Sequence, residues 1–347
     1  MKVHILYKTM AGPAGGGNQF LRALCHLFEA VEKQADGAAS ADVVLLNSHH
    51  FLLRAAREKL RFPRKIFVQR VDGPMALYNR QSDPRDFMVK TAAAMISDGT
   101  IFQSEWSRDA NYRLGFPRNR FDAVIHNSVD PAIFNSNGKA AFSSDRKTRI
   151  MAASWSPNPN KGFDVYRWLD RNLDFSRFEM TFAGNSPVAF RNITSVPPVD
   201  SRGMARLLKR HDIFIFASRI EACSNSLLEA MHCGLPVIAA DSSSNPEVVG
   251  SGGELFRRPE EIPGLLDRMV AGYAGYRARL CPPSIEDAAR KYLDFMEGIY
   301  EKVESGAYRP KRFGKGAAAL FCVRLFIRRS CARLDAFLSR ARAAGGS

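Results

Sequence analysis

The feature that most constrains this chain is alternation. Short β-branched or aromatic runs are separated by helical patterns, and this happens in two successive series. The first series predicts strands at Val3–Tyr7, Val43–Asn47, Ile66–Gln69, Gly99–Gln103 and Ala123–Asn127, with helices such as Asn18–Glu32 and Phe51–Leu60 between them. The second predicts strands at Arg149–Ala153, Phe178–Ala183, Ile213–Ala217 and Pro236–Ala240, with helices at Phe163–Asn172, Gly203–Arg210 and Asn225–Cys233. A parallel neighbour strand needs a crossover, and crossover helices then cover the sheet, so alternation of this kind implies parallel sheets. Ligands of such sheets bind outside the carboxyl ends of the strands.

The expected fold class is therefore α/β, with two Rossmann-like doubly wound domains facing across a cleft. Residues 1–134 form the first and residues 148–301 the second. Between them residues 135–147 are rich in Asn, Ser and Lys, lack apolar periodicity, and read as a linker. The helical pattern Ile285–Lys302 is expected to close the second domain, leaving 302–347 as a tail. A length of 347 residues suits two domains of moderate size, and 46% apolar residues allow each a core. No apolar run is long enough to span a bilayer, and Met1–Lys8 reads as a strand rather than a signal peptide, so a cytoplasmic protein is expected. The cysteines (25, 223, 233, 281, 322, 331) form no C-x-x-C pair, which supports neither a zinc site nor a disulfide framework.

The net charge of +15 is unevenly placed: Lys302–Ser347 holds eleven Lys/Arg against Glu304 and Asp335. A basic tail on a mildly basic body points to a local device, and no nucleic-acid-binding motif accompanies it, so nucleic acid is not an expected partner.

The most informative stretch runs from Ala217 to Ile238 as strand, loop, helix, glycine, strand. Ser224, Asn225 and Ser226 fall where the helix starts, and its free N–H groups and dipole suit a diphosphate. Glu221 precedes that end and Glu229 lies inside it, so two carboxylates flank the anion site and can grip hydroxyls on either side. A second reading of Glu229 stands beside this one: Ser226-Leu-Leu-Glu229 fits a capping box. Lys161-Gly162 follows the first strand of the second series, either as a solvated loop or as a lysine placed to neutralise a diphosphate. Near the N-terminus, Gly12-Pro-Ala-Gly15-Gly16-Gly17-Asn18-Gln19 follows a strand and opens a helix, and consecutive glycines admit close backbone approach to a ligand. Arg70-Val-Asp72 ends another strand, either as a hydroxyl- or phosphate-recognising pair or as a solvated surface ion pair. His49 and His50 follow a third strand, where a capping or packing role reads as well as a ligand contact, and His4, His26, His126 and His232 read as scaffold. No Asp-x-Asp motif is present, so no metal ligand is assigned.

These motifs together resemble those of retaining GT-B glycosyltransferases, in particular glycosyltransferase family 4. Glu221 and Glu229 match the E-x7-E signature, followed by Glu-Ala-Met, Gly-Leu-Pro-Val-Ile and Asn245-Pro-Glu-Val-Val249. Asn127-Ser-Val-Asp130-Pro-Ala-Ile-Phe134 resembles the family's strand-to-linker signature. The resemblance implies transfer of a sugar from a nucleotide-diphosphate donor with retention and without a metal or other cofactor. It implies a same-face displacement in which the leaving diphosphate oxygen takes the acceptor's proton. It makes Glu221 and Lys161 the catalytic pair, and Gly16, Gly17, Ser224, Asn225, Ser226 and Glu229 the donor contacts, with Glu229 on the ribose. Asn18, His49, Arg70 and Asp72 are candidate acceptor or sugar contacts, and a glycan or lipid-linked molecule the acceptor. Two departures stand out. Ala222-Cys223-Ser224 replaces the family's Gly-Phe-Gly, and Trp155 and Ser156 occupy the places where many members carry an Arg before the lysine. A non-catalytic nucleotide-sugar-binding module, or a nucleotide-sugar epimerase of the same architecture, are the alternative functions.

The tail carries an argument of its own. Ala317, Leu320, Val323, Ile327, Cys331, Leu334 and Leu338 recur at helical spacing, widened by Phe321, Phe326 and Phe337. Arg324, Arg328, Arg329, Arg333 and Arg340 lie beside or opposite them, and Lys311, Arg312 and Lys315 form a cluster ahead. Residues 311–340 thus suit an anionic membrane surface at the inner face of the membrane; the alternative is a stripe packed on the body or on a second copy.

Overall fold

In the computed structural model, residues 1–8 and 16–326 are described. Gly12 and Gly15 of the N-terminal loop, and the tail positions from Ile327 onward, lie outside the described residues. The first domain comprises β1 (Val3–Leu6), α1 (Gly16–Ala30), β2 (Val43–Asn47), α2 (Leu52–Arg61), β3 (Ile66–Val71), α3 (Met75–Asn79), α4 (Pro84–Met95), β4 (Gly99–Phe102), α5 (Glu105–Arg113) and β5 (Phe121–Val124). Its strands form one parallel sheet in the order β1-β2-β3-β4-β5. The second comprises β6 (Thr148–Ser154), α6 (Phe163–Asn172), β7 (Phe178–Gly184), β8 (Thr194–Val196), α7 (Ser201–Arg210), β9 (Ile213–Phe216), α8 (Asn225–His232), β10 (Val237–Ala240), α9 (Asn245–Val249), β11 (Gly253–Phe256), α10 (Ile262–Ala271) and α11 (Tyr273–Ala278). Its parallel sheet has the order β11-β10-β9-β6-β7-β8, with β6 beside β9 at the crossover point.

Both sheets are buried on two faces, so their strands read as near-continuous apolar runs. In the first, Val3, Val43, Leu45, Ile66 and Val68 point to one face and Leu6, Val44, Leu46 and Phe67 to the other. In the second, Ile150, Ile213 and Ile238 oppose Met151, Phe214 and Val237 in the same way. The edge strands β8 and β11 escape the sequence pattern because Thr-Ser-Val and Gly-Glu-Leu-Phe carry too few apolar residues to stand out.

Two segments sit differently from the sequence expectation. Helix α12 (Ile285–Glu304) was expected to close the second domain, but it returns to the first. Ile285, Ala288, Ala289, Tyr292, Met296 and Ile299 join Phe20, Leu24 and Phe28 of α1 in one core cluster. Gly99 of β4 permits that packing: a Cβ there would lie 2.7 Å from Ile299 Cδ1. Periodicity reveals an apolar face but not which core receives it. The tail then continues along the opposite face of the first sheet. A helix described over residues 315–326 follows, and Phe313, Phe321 and Leu325 cluster there with Leu52, Ala55, Met88 and Ala92. The start of the tail is therefore part of the first domain.

The linker 135–147 is pinned to the second domain. Phe142 stacks on Tyr273 with ring centroids 4.1 Å apart, and Arg146 Nη1 donates to Asp212 Oδ2 at 2.6 Å.

Candidate active site

The cleft wall of the second domain is built around the start of α8. Ser224 is the N-cap, its Oγ accepting from Leu227 N at 3.4 Å. That places Glu229 beyond the third helical position, and its carboxylate accepts no hydrogen bond from the helix start, so the capping-box reading does not hold. The N–H groups of Asn225 and Ser226 occupy the first two helical positions, where an α-helix has no internal acceptor to offer.

Glu221 sits just before this helix. Its Oε1 accepts from Lys161 Nζ and from Ser218 Oγ, each at 2.5 Å, and its N–H donates to Ser243 Oγ at 3.0 Å. The loop is braced from beneath by Asn245, whose Nδ2 donates to Ser218 O at 2.8 Å and Ala240 O at 3.0 Å. Lys161 ends a short 3-10 turn, Pro159–Lys161. The following Gly162 has φ 76°, and a Cβ on it would lie 2.2 Å from Ala217 O, so only glycine lets this turn dock on the end of β9. Burial pulls the Lys161 ammonium pKa down, but Glu221 outweighs it and the net shift is upward. Lys161 is therefore a fixed cation at neutral pH.

Glu229 behaves oppositely. With no cation beside it, burial pushes its carboxyl up to about 8.

The facing wall collects polar side chains from the carboxyl ends of four strands of the first sheet. Arg70 is 1% exposed. Its Nη1 donates to Asn47 Oδ1 at 2.8 Å and lies 3.3 Å from Asp72 Oδ1, and its Nη2 donates to Asn127 Oδ1 at 2.8 Å. A solvated surface pair is thus excluded for Arg70. Asn127 Nδ2 in turn donates to Gln103 Oε1 at 2.9 Å and to Asn225 Oδ1 at 3.3 Å, carrying the network across to α8. Burial would raise the Asp72 carboxyl, but Arg70, Gln103, Ser48 and His49 together hold it below the usual range. His49 lies against His50 with ring centroids 4.2 Å apart, and burial followed by His50 pushes it down to about 4, so it is neutral at physiological pH.

Two cavities meet at Asn225. One, about 270 Å³, is lined by Gly17, Arg70, Asp72, Tyr78, Trp106, Lys161 and Glu221 among others. The second, about 100 Å³, is lined by Gln19, Trp155, Gly184, Val199, Ser226 and Glu229 among others. The helix start therefore stands between a chamber holding Lys161 and Glu221 and a slot holding Glu229. Ser224 is buried under the helix start and Asn18 is buried; neither of the two lines either chamber, and neither does His49, while Gly16 begins α1. Sequence reasoning missed Trp155 as a slot residue, along with Tyr78 and Trp106. A lone aromatic in a loop carries no pattern that marks it. Among the described residues no group of three His, Cys, Asp or Glu side chains is arranged to hold a metal ion.

Further contacts join the walls besides the Asn127–Asn225 bond. Arg80 Nη2 donates to Asn160 Oδ1 at 2.9 Å, Gln19 Nε2 donates to Ser201 Oγ at 2.9 Å, and Glu247 of α9 accepts from Glu105 N and Trp106 N, both at 2.8 Å.

The fold is the GT-B arrangement, and comparison with known proteins agrees with it. The family model described as glycosyl transferases group 1 matches residues 173–272. HepE from Anabaena, solved with UDP and glucose, is 16% identical, with 88% of this chain and 100% of that chain covered and a TM-score of 0.62. Sucrose-phosphate synthase from Thermosynechococcus elongatus is 13% identical, with 91% and 79% covered and a TM-score of 0.53. Trehalose-6-phosphate synthase, studied for glycosyl transfer with retention, is 12% identical, with 82% and 78% covered and a TM-score of 0.54. No curated protein matches the sequence.

Proposed function

We propose that this chain is a glycosyltransferase that moves a sugar from a nucleotide-diphosphate donor to a glycan or lipid-linked acceptor, with retention and without a metal. The observation that carries the reading is the Lys161–Glu221 pair beside the open start of α8, at the junction of the two chambers. The diphosphate would lie on the N–H groups of Asn225 and Ser226, the nucleoside in the slot with Glu229 on its ribose and Trp155 at its base. The sugar would lie in the larger chamber beside Glu221. HepE, similar in fold, was solved with UDP and glucose, which supports a nucleotide sugar as donor.

Breaking the anomeric bond leaves negative charge on the diphosphate. Lys161 and the helix start neutralise that charge where it develops, which is the largest contribution a protein of this kind can make. No carboxylate is needed on the opposite face of the sugar, because the leaving phosphate oxygen accepts the proton of the attacking hydroxyl on the same face. The first domain positions the acceptor, with Asp72 and Arg70 at the chamber's far side.

The test is a thermal-shift screen of nucleotide sugars followed by product analysis. Release of nucleoside diphosphate with transfer to an acceptor supports the proposal. Binding without turnover identifies a binding module, and appearance of a free epimer identifies an epimerase.

A further inference from the structure

We infer that the outer face formed by α2 and the helix over residues 315–326 is a docking surface for an anionic lipid bilayer. Among the described residues nine large apolar side chains are exposed, and six of them (Phe51, Leu53, Leu60, Leu320, Val323 and Phe326) belong to these two helices or the residue entering α2. Monomeric surfaces scatter such residues singly, so their concentration on two helices that share one core cluster calls for a partner.

The two helices form one unit. Lys59 of α2 and the Lys311 backbone ahead of the second helix converge on buried Asp98, at 3.3 Å and 2.7 Å. Phe321 and Leu325 point inward to the same cluster as Leu52, Ala55 and Ala56. The apolar line used for folding is thus Phe313, Phe321 and Leu325. The stripe read from sequence divides between two lines: Ala317 and Phe321 pack inward, whereas Leu320 and Val323 face out, at 47% and 51% exposure, and Phe326 beside them at 72%. A helix that is apolar on both sides has one face for the core and one for something else.

Charge decides what the something else is. Arg54, Arg57, Arg61 and Arg64 around α2 and Arg312, Lys315 and Arg324 around the second helix are all exposed, against half-buried Glu58. The sequence then adds Arg328, Arg329, Arg333, Arg340 and Arg342 against Asp335. A second copy of this chain would bring the same positive charge to the contact. A bilayer carrying anionic headgroups satisfies both components, with apolar side chains in the interface and arginines at headgroup level. No described helix is long and apolar enough to cross a membrane, so the contact is one of lying on the surface. Because α2 starts at the cleft end of its sheet, such docking would bring the cleft near the lipid surface.

This inference is independent of the donor reading, because vesicle binding is measured without nucleotide sugar. Full-length protein is sedimented with vesicles of phosphatidylcholine alone and with added phosphatidylglycerol. We expect pelleting with the anionic vesicles only, weakening as salt rises. Arg54→Gln, Arg57→Gln and Arg61→Gln together should reduce binding by about 100-fold, at roughly fivefold per arginine, while the three lysine exchanges retain it. Leu320→Ser, Val323→Ser and Phe326→Ser together should reduce it comparably with little change in melting temperature, the side chains being exposed. Absence of pelleting at low salt, or pelleting indifferent to the α2 arginines, overturns the proposal. A dimer in light scattering that the apolar exchanges dissociate, without vesicle binding, assigns the face to a second copy.

Discussion

Lys161 Nζ lies 2.5 Å from Glu221 Oε1, so the cation expected to meet a leaving diphosphate is already engaged by the carboxylate expected to face the sugar. Both side chains are mostly buried, at 17% and 15% exposure. A donor whose phosphate draws the ammonium away would release Glu221 at the moment a sugar arrives beside it. The pair thus links phosphate recognition to sugar recognition.

The two partners should therefore respond differently to substitution. Lys161→Ala is expected to lower turnover by about 10²–10³, the usual loss when one preorganised electrostatic donor is removed, and to weaken nucleoside diphosphate binding. Glu221→Gln is expected to abolish transfer while nucleoside diphosphate binds as well or better, because Lys161 no longer has to leave a partner. Calorimetry and turnover assays on both variants check this. Weaker diphosphate binding in Glu221→Gln would contradict the exchange of partners.

Glu229 provides a pH signature. Its folded pKa of about 8 lies above the usual carboxyl value, so the folded protein holds a proton that the unfolded chain has lost, and this contribution to stability declines as pH rises through that window. A ribose diol donating to the carboxylate favours the ionised form, so donor binding expels the proton. Affinity should rise from pH 6 to 8 and level off above. Glu229→Gln should flatten the profile and raise the melting temperature at pH 8 relative to wild type. Titration calorimetry in buffers of different ionisation enthalpy reads the released proton directly.

Much of this was legible in the sequence because local pattern and global fold agree. The span Phe163–Asn172 follows from periodicity alone, and Lys161, Glu221 and Asn225 were placed by their positions after strands. What was not legible depends on long-range pairing. Nothing in the pattern of Ile285–Glu304 says that it leaves the second domain, since an amphipathic helix fits either core. Asn127 had only a structural reading, yet it bridges Arg70 and Asn225 across the cleft. Arg70 read equally well as solvated, and only the convergence of Asn47 and Asn127 on its guanidinium shows otherwise.

Trp155 lies at 51% exposure on the rim of the Glu229 slot. An aromatic plane there offers a nucleobase a stacking partner, worth about 1–3 kcal/mol per base in other proteins. Trp155→Ala should weaken nucleotide affinity by about 5- to 150-fold with turnover at saturation little changed. Trp155→Arg should lose the same affinity and, by adding a second cation near the diphosphate, gain turnover. Steady-state kinetics separate the two effects.

Glu247 is an acidic cap supplied by one domain to a helix of the other. Its oxygens accept from Glu105 N and Trp106 N at the start of α5, and His126 Nε2 lies 3.4 Å away. Cap removal costs about 0.5–2 kcal/mol. Because this cap spans the cleft, the loss should appear as domain opening rather than unfolding. Glu247→Ala is expected to increase the radius of gyration in solution scattering and to raise the KM for donor, with a small drop in melting temperature. An unchanged radius would show that other contacts hold the cleft closed.

Asp98 fastens the C-terminal strap to the first domain. Its Oδ1 accepts from Tyr308 OH at 2.9 Å and Lys311 N at 2.7 Å, and its Oδ2 from Phe67 N at 2.9 Å and Lys59 Nζ at 3.3 Å. Both Lys59 and Asp98 are fully buried, and burial lowers the Lys59 pKa even with Asp98 opposing it. Removing one partner of a buried ion pair leaves an uncompensated charge, at a cost of about 3–5 kcal/mol. Asp98→Ala should therefore be among the most destabilising single changes in the first domain. Lys59→Met with Asp98→Asn should recover part of the loss by removing both charges. The strap also answers whether the tail is dispensable: a chain ending at residue 304 loses Tyr308, Lys311, Phe313, Phe321 and Leu325 from the α2–α4 face, and should melt well below the full chain. A truncated protein with unchanged denaturant midpoint would show that these contacts contribute nothing to the first domain.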